Sequence, residues 1–454
     1  MHISPERSTA FLAAIVVATY ANGLRGSFQF DDYNVIAHNP AVHSFSAWWQ
    51  SMPGIRPLLK LSYTANWVLG SEPAGFHAVN VIVHLLNTLL VYAIVRELLP
   101  RLKVPAGHIA GAALACTAIF ALHPAQTEAV TYISGRSVSL MALFELGALL
   151  AWLRAGASSQ PSLWRGASVL LFVLAMAAKE NAWSLPFALL LCEALQAGWT
   201  WRAALRRTRG HWAVLLVAAC VVVLVPGYWK LALGSLETRT LGENLLTQID
   251  GLYYLATQPL LLLQLNTDPD LPKHAQWNAL LAAKAFALVA LLALALWQWR
   301  RNPWIGFGIL WFFVMLAPTN SVLPRLDVAN DRQLYLALMG PALALAVAMH
   351  RLMASRRAGI TLCVLCVVLA LATISRNAIY ATEVSLWQDT ASKSPHKARV
   401  FNNLGFAYEQ AGRRDEAEQA YVRALELDPN HWRARVNLEN LRAGPPPRPF
   451  ALPQ

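Results

Sequence analysis

"GFHAVNVIVHLLNTLLVY", residues 75–92, is an apolar run with a few isolated polar side chains and no Asp, Glu, Lys or Arg. A helix of about 20 such residues crosses the hydrocarbon core of a bilayer. In lipid the backbone must satisfy its own polar groups, so a run of this kind is helical. The stretch predicts a span over 76–96. Comparable runs recur at 9–23, 107–122, 138–154, 165–178, 182–198, 211–229, 279–299, 303–317, 333–350 and 358–376. The expected fold is therefore all-α, a polytopic membrane helix bundle of about 11 spans. Composition agrees: 14% of the 454 residues are charged and mean hydropathy is +0.40, where a soluble chain carries about 25% charged residues. The first run lacks a clear small-residue cleavage site and is expected to stay as an anchor.

Orientation follows from the basic residues. Arg96, Arg101 and Lys103 form one basic loop, and Arg202, Arg206, Arg207 and Arg209 another. Arg300 with Arg301, and Arg351 with Arg356 and Arg357, make two more. The positive-inside rule places all four in the cytoplasm. These loops explain much of the +12 net charge, which is read as topology and contact with anionic lipid, not nucleic-acid binding. "GLYYLATQPLLLLQL" (251–265) is long enough to span, yet counting it would turn Arg300 outward. It is expected to be re-entrant or packed on the outer side, which leaves the N-terminus inside and the C-terminus outside. The five cysteines lie in apolar runs, and "CVLC" (363–366) reads as helix packing because no acidic or His partner is near.

From about residue 380 the chain turns charged and soluble in character. "NNLGFAYEQAGRRDEAEQAYVRALELDPN" (402–430) follows the tetratricopeptide-repeat pattern. Leu404, Gly405 and Tyr408 mark its first helix, Ala417, Tyr421 and Ala424 its second, and Pro429 ends it. "VSLWQDTASKSP" reads as the second helix of a preceding partial repeat, and "HWRARVNLENLRAG" as the start of the next. The expected division is a membrane domain at 1–378, a short repeat domain at 379–443 and a Pro-rich tail at 444–454. So short an array serves either as a cap docked on the membrane domain or as a partner-binding groove.

With this topology, polar residues from four separated loops gather on the outer face. They are Asp31, Asp32, Arg56, His77 and Asn80 in the first loop or its margins, "HPAQTEAVTYISGR" (123–136), "KEN" (179–181) and "NDRQLY" (330–335). Convergence of this kind is what a binding site requires. A carboxylate can take a proton from a nucleophile or hold a metal, while cations stabilise a departing phosphate. A transporter would concentrate charge near the midplane, where only Glu145 is placed.

The segments "FDDYNVIAHNPAV", "RPLLKLSYTANW", "GFHAVNVIVHLLNTLLVY", "LHPAQTEAVTYISGR", "AAKEN" and "NDRQLYL" occur in one order. In this the chain resembles the transmembrane and tetratricopeptide-repeat O-mannosyltransferases and their bacterial relatives. The resemblance implies a GT-C-like glycosyltransferase that moves sugar from a polyprenyl phosphate to a protein, glycan or lipid acceptor at the outer face, in a bacterial inner membrane with periplasmic repeats. It departs in carrying Val138 where the family often has an acidic residue, and in its short repeat array.

The resemblance implies Asp31 as the base for the acceptor hydroxyl, with Asp32 orienting the site; Asp32 could otherwise cap a helix starting at Tyr33. Arg332, Lys179 and Arg56 are the expected ligands of the donor phosphate. His123, Glu128, Arg136, His77, Glu180, Asp331 and Tyr335 are expected to line the site. His77 and His84, two turns apart, read as packing before ligation. The metal requirement is open, and a divalent ion is compatible with the acidic pair. Competing readings are a non-catalytic membrane scaffold that recruits a periplasmic partner through its repeats, and a lipid-linked glycan flippase.

Overall fold

A computed structural model describes residues 4–52, 54–224, 234, 238–322 and 324–444. Its principal helices begin with α1 (Pro5–Tyr20), α2 (Pro57–Leu69), α3 (Pro73–Arg101), α4 (Ala106–Leu122), α5 (Arg136–Ala155), α6 (Pro161–Ala178) and α7 (Leu185–Glu193). They continue with α8 (Arg209–Leu224), α9 (Leu241–Thr257), α10 (Ala279–Arg301), α11 (Pro303–Leu316), α12 (Met339–Leu352) and α13 (Ser355–Ile379). No strand occurs among the described residues. Helices α1, α2, α3, α6 and α11 each open on proline, whose fixed φ and missing N–H suit a first helical turn.

Among the described residues, five helical stretches are long and apolar enough to cross a membrane: α3, α5 with its preceding turn, α6, α10 and α13. Three bent pairs raise this to eight if each is one broken span. Helices lie at the other expected runs, residues 225–229 of the 211–229 run being outside the described residues, but α1 has 16 residues, α7 has 9 and α11 has 14. At 1.5 Å per residue, α7 is only about 14 Å long. The expectation of eleven spans is thus not reproduced by length and composition. At 251–265 the helix stops at Thr257, and a short turn over Gln258–Leu260 follows. The face that α9 buries carries Asn244, Thr247, Gln248 and Asp250. A helix exposing such a polar face to lipid would be costly, so this one packs against protein.

The basic loops gather at one end of the bundle. Arg101 donates to the carbonyl of Leu153 (3.1 Å), and Arg207 pairs with Glu193 (2.9 Å). Arg351 donates to the carbonyl of Lys103 (3.0 Å) and lies over the Trp304 ring, just past Arg300 and Arg301. The other end of α3, about 43 Å away for its 29 residues, carries His77 against Gly26 and the loop of Asp31.

Packing inside the bundle relies on small residues and buried polar ties. A Cβ on Gly340 would stand 2.2 Å from the Gly308 carbonyl oxygen, so α11 and α12 touch backbone to backbone. Arg136 is fully buried. Its guanidinium donates to Asn80 Oδ1 (2.6 Å), Asn66 Oδ1 (2.9 Å) and the carbonyls of Phe76 (2.9 Å) and Ser62 (3.2 Å), and lies over the Tyr63 ring. It ties α2, α3 and α5 into one block.

The C-terminal segment forms α14 (Glu383–Lys393), α15 (Ala398–Gln410), α16 (Arg414–Leu427) and α17 (Trp432–Ala443). Gly405 lies under the Tyr421 ring, where a Cβ would stand 2.6 Å from it. Trp387, Val400, Leu404 and Ala420 fill the space between α14, α15 and α16. Residues 445–454 of the expected tail lie outside the described residues.

Candidate active site

The loop that follows α1 turns sharply at Phe30, whose φ of 44° is rare for a residue with a side chain. Its amide donates to Glu383 Oε1 of α14 at 2.7 Å, and its ring meets Trp387 edge-on, with centroids 5.3 Å apart. Strain of this kind persists only where surrounding contacts hold it. It sets the direction of the next two residues.

Asp31 and Asp32 have different fates. Asp32 is 1% exposed, and its carboxylate accepts from the amides of Gln29 (3.0 Å) and Ser134 (2.8 Å) and from the Ser134 hydroxyl. Burial pushes its pKa up to about 7, against the pull of those donors. It precedes the helical turn Tyr33–Ala37, but its side chain makes no capping bond there. Its work is to staple the first loop to the 133–135 turn. Gly135 allows this: a Cβ there would stand 2.2 Å from the Glu128 carbonyl.

Asp31 is partly exposed, and no ion pair among the described residues engages its carboxylate. Its amide donates to the Tyr132 hydroxyl at 3.0 Å. It opens on a cavity of about 170 Å³ shared with Glu128, Asp327, Arg332, Trp387 and Arg399. Burial raises its pKa, and the Arg332 charge opposes the rise.

Arg332 is held from two sides. Glu128, 3% exposed, accepts its backbone amide at 3.0 Å and lies 3.5 Å from Nε, while Asp327 lies 3.9 Å from Nη2. The same arginine lines a second, smaller cavity with Lys179, Arg325, Asn181 and Asn330. Val138, Met141, Met315 and Leu336 form the apolar part of that wall. Lys179 follows the last residue of α6 and reaches Ser137 Oγ at 3.2 Å. Burial, with Arg56 and Arg332 nearby, pushes its ammonium well below the usual value. Lys179 has no carboxylate partner among the described residues, and an anion in this cavity would favour its charged form.

Other expected site residues stand elsewhere. Arg56 forms a two-pronged pair with Glu180 (2.8 and 2.5 Å), so Glu180 takes Arg56 and not Lys179. His123 accepts the Ala125 amide at Nδ1 (3.1 Å) and donates from Nε2 to the Pro259 carbonyl (3.0 Å), which pins the turn after α9. His77 meets the Gly26 carbonyl at 3.1 Å. Tyr335 is fully buried, with its hydroxyl 2.7 Å from His84 Nδ1 and 2.9 Å from Asn87 Nδ2. Asp331 is buried 3.9 Å from Arg376. Arg136 belongs to the interior tie described above. These seven groups hold the walls, and neither cavity includes them. Among the described residues no group of three or more His, Cys, Asp or Glu side chains is placed to hold a metal ion. Of the cavity carboxylates, Glu128, Asp268 and Asp327 are turned to arginines, which leaves Asp31 alone, so the donor set does not fit a divalent ion.

The site also draws on residues that no expectation named. Arg325 and Asp327 precede the "NDRQLY" motif, and the alternation of charge in "PRLDVANDR" was the available signal. Arg399 comes from α15 and pairs with Asp327 (2.6 Å) and Asp268 (2.5 Å). Nothing in a repeat sequence distinguishes that arginine from a solvent-facing one. Lys397 joins Asp268 at 2.5 Å, and Arg376 joins Asp389 at 2.6 Å. The repeat helices are therefore clamped onto the loops beside Asp31, and Trp387 and Arg399 are walls of its cavity.

The tetratricopeptide repeat model matches residues 398–431, the helices α15 and α16. A protein O-mannosyl-transferase of Caenorhabditis elegans is 25% identical over 94% of this chain and 63% of its own length. The TMTC1 protein O-mannosyl-transferase of Homo sapiens is 25% identical over 97% of this chain and 57% of its own. This chain is similar to the TMTC-type protein O-mannosyl-transferases. The Tmtc2 protein of Drosophila melanogaster reaches 30% identity, over 48% of this chain and 25% of its own length. The chain thus spans little more than half the length of the relatives it matches throughout. No solved structure matches.

Proposed function

We propose that the protein is a membrane glycosyltransferase that moves a sugar from a polyprenyl phosphate to a hydroxyl of a protein acceptor. The observation that carries this is Arg332, which lines both cavities. On one side it faces Asp31, a carboxylate in no ion pair among the described residues. On the other it joins Lys179 and Arg325 beside an apolar wall, where a phosphate carried on a lipid would sit. The names of the relatives make mannose the sugar to test first.

The step is a displacement at the anomeric carbon. The acceptor oxygen forms the new bond while the bond to the phosphate oxygen breaks, and the electron pair leaves with the phosphate. Asp31 takes the acceptor proton. Arg332 and Lys179 stabilise the phosphate charge that develops, an interaction stronger in the transition state than before it. Attack opposite the leaving group inverts the anomeric centre. The arginine-rich end of the bundle is assigned to the cytoplasm by the inner leaflet's negative charge, which puts Asp31 and the repeats outside, in a bacterium the periplasm.

The test is transfer by the purified chain in nanodiscs, given polyprenyl-phosphate mannose and a threonine peptide, read by mass spectrometry. A gain of one hexose on the peptide is expected. No transfer from any polyprenyl-phosphate sugar would overturn the reading.

A further inference from the structure

A cavity of about 250 Å³ opens at the basic end of the bundle, away from Asp31, between α3, α5, α6 and α7. Helix α5 stops there at Ala155, and three arginines converge on the gap beside Gly156. Arg101 closes α3, Arg165 stands in the first turns of α6, and Arg207 ends a short helix over Trp201–Arg207. Arg165 belongs to none of the four basic loops; the turn from α5 into α6 carries it to this place. Glu193, the last residue of α7, is the one carboxylate in the lining among the described residues.

Glu193 is 4% exposed, and its oxygens are committed. Oε1 accepts from Trp152 Nε1 (3.1 Å) and Gln196 Nε2 (2.9 Å), and Oε2 accepts from Arg207 Nη1 (2.9 Å). Its charge is spent on Arg207. Arg101 donates to the carbonyls of Glu97 (2.7 Å) and Leu153 (3.1 Å), which fix its guanidinium without cancelling its charge. It stands 3.8 Å from the exposed Glu97 carboxylate, and a pair of that kind is weak. Arg165 is exposed, lies over the Trp152 ring at 5.9 Å and enters no ion pair among the described residues. Two guanidinium charges therefore line one cavity with no buried carboxylate to match them. A guanidinium meets a phosphate through two parallel hydrogen bonds, so the complement of this lining is a phosphate group.

The rim sets the depth at which that phosphate lies. Trp199 and Trp201 are exposed, and Trp199 lines an adjoining space that shares Glu193 and Arg207 with the cavity. Leu163, two residues before Arg165, is 65% exposed. Exposed tryptophans beside arginines mark the boundary between acyl chains and head groups. On the orientation assigned above, we infer that this cavity binds the head group of an anionic phospholipid of the cytoplasmic leaflet. Arg101 and Arg165 clasp its phosphates, while Trp152 and Leu153 supply the apolar wall. Two uncompensated charges favour a head group with two phosphates, as in cardiolipin, over a head group with one. Such a lipid joins α3 to α6 and stabilises the folded bundle that binds it.

Native mass spectrometry of the full chain in detergent, titrated with cardiolipin, phosphatidylglycerol and phosphatidylcholine, tests the site. Cardiolipin is expected to bind at least about tenfold more tightly than phosphatidylcholine, with phosphatidylglycerol between them. Arg165→Gln, at an exposed position, and Arg101→Gln should each weaken cardiolipin binding by about tenfold. Arg206→Gln, in a basic loop but outside the lining, should leave it unchanged. Equal losses in Arg165→Gln and Arg206→Gln would mean diffuse attraction to basic loops and would overturn the site. Wild-type affinity in Arg165→Gln, or equal binding of all three lipids, would overturn it too. Soluble pyrophosphate should not displace cardiolipin at equal concentration; displacement would make the ligand a free phosphate and refute the lipid. Detergent has no sides, so labelling of Arg206→Cys from outside intact cells would overturn the leaflet alone and leave the site standing.

Discussion

Two adjacent aspartates, Asp31 and Asp32, divide one task. Asp32 spends its oxygens on Gln29 and Ser134 and so fixes the loop, while Asp31 lines the cavity with its carboxylate in no ion pair among the described residues. Asp32→Asn replaces an acceptor by an NH2 facing two donors, and should lower stability by about 1–3 kcal/mol. Thermal unfolding in detergent measures this, and an unchanged midpoint would contradict it. The pH dependence follows from Asp31. Its pKa is raised by burial, and a base works only when ionised, so kcat/KM falls as pH drops through that raised value. Arg332 favours the ionised form, so Arg332→Gln should move the acid limb to higher pH as well as slow the reaction. A limb that stays in place in that variant would show that Asp31 and Arg332 do not share a field.

At the scale of elements, charge and period carried much of the reading. The apolar runs placed α3, α5, α6, α10 and α13, and the small and aromatic residues of 402–430 placed α15 and α16. Span number was less legible, because hydropathy cannot see that α7 stops after 9 residues or that α9 buries amides along one face. Motifs singled out Asp31, Lys179 and Arg332, which line the two cavities and are the basis of the proposed site. It was illegible where folding alone joined distant segments, as with Arg399 and Asp327. Arg136 shows the reverse case: a charged residue in a motif whose partners are backbone carbonyls and asparagines of α2 and α3. Lysine cannot match that planar set of donors. Arg136→Lys should therefore destabilise the bundle by about 3 kcal/mol, read by unfolding in detergent. Wild-type stability in the lysine variant would mean that the buried ties carry little.

For the whole molecule, the decisive property is that the repeats and the loops of Asp31, Lys179 and Arg332 lie at one end while four basic loops lie at the other. A membrane-impermeant thiol reagent tests the assigned orientation in a chain whose native cysteines are replaced. Glu426→Cys should label from outside intact cells and Arg206→Cys should not; the opposite pattern would invert the account. The repeat clamp belongs to this scale as well. In the proposed reaction Asp31 is the base in a sugar transfer whose leaving phosphate meets Arg332 and Lys179. Its most direct test is single-turnover transfer by Asp31→Asn beside the wild type, in the same nanodiscs with saturating donor. A loss of at least about 100-fold in rate, with donor binding retained, is the predicted result. A rate within about twofold of wild type would be too small a loss for a general base and would contradict the account.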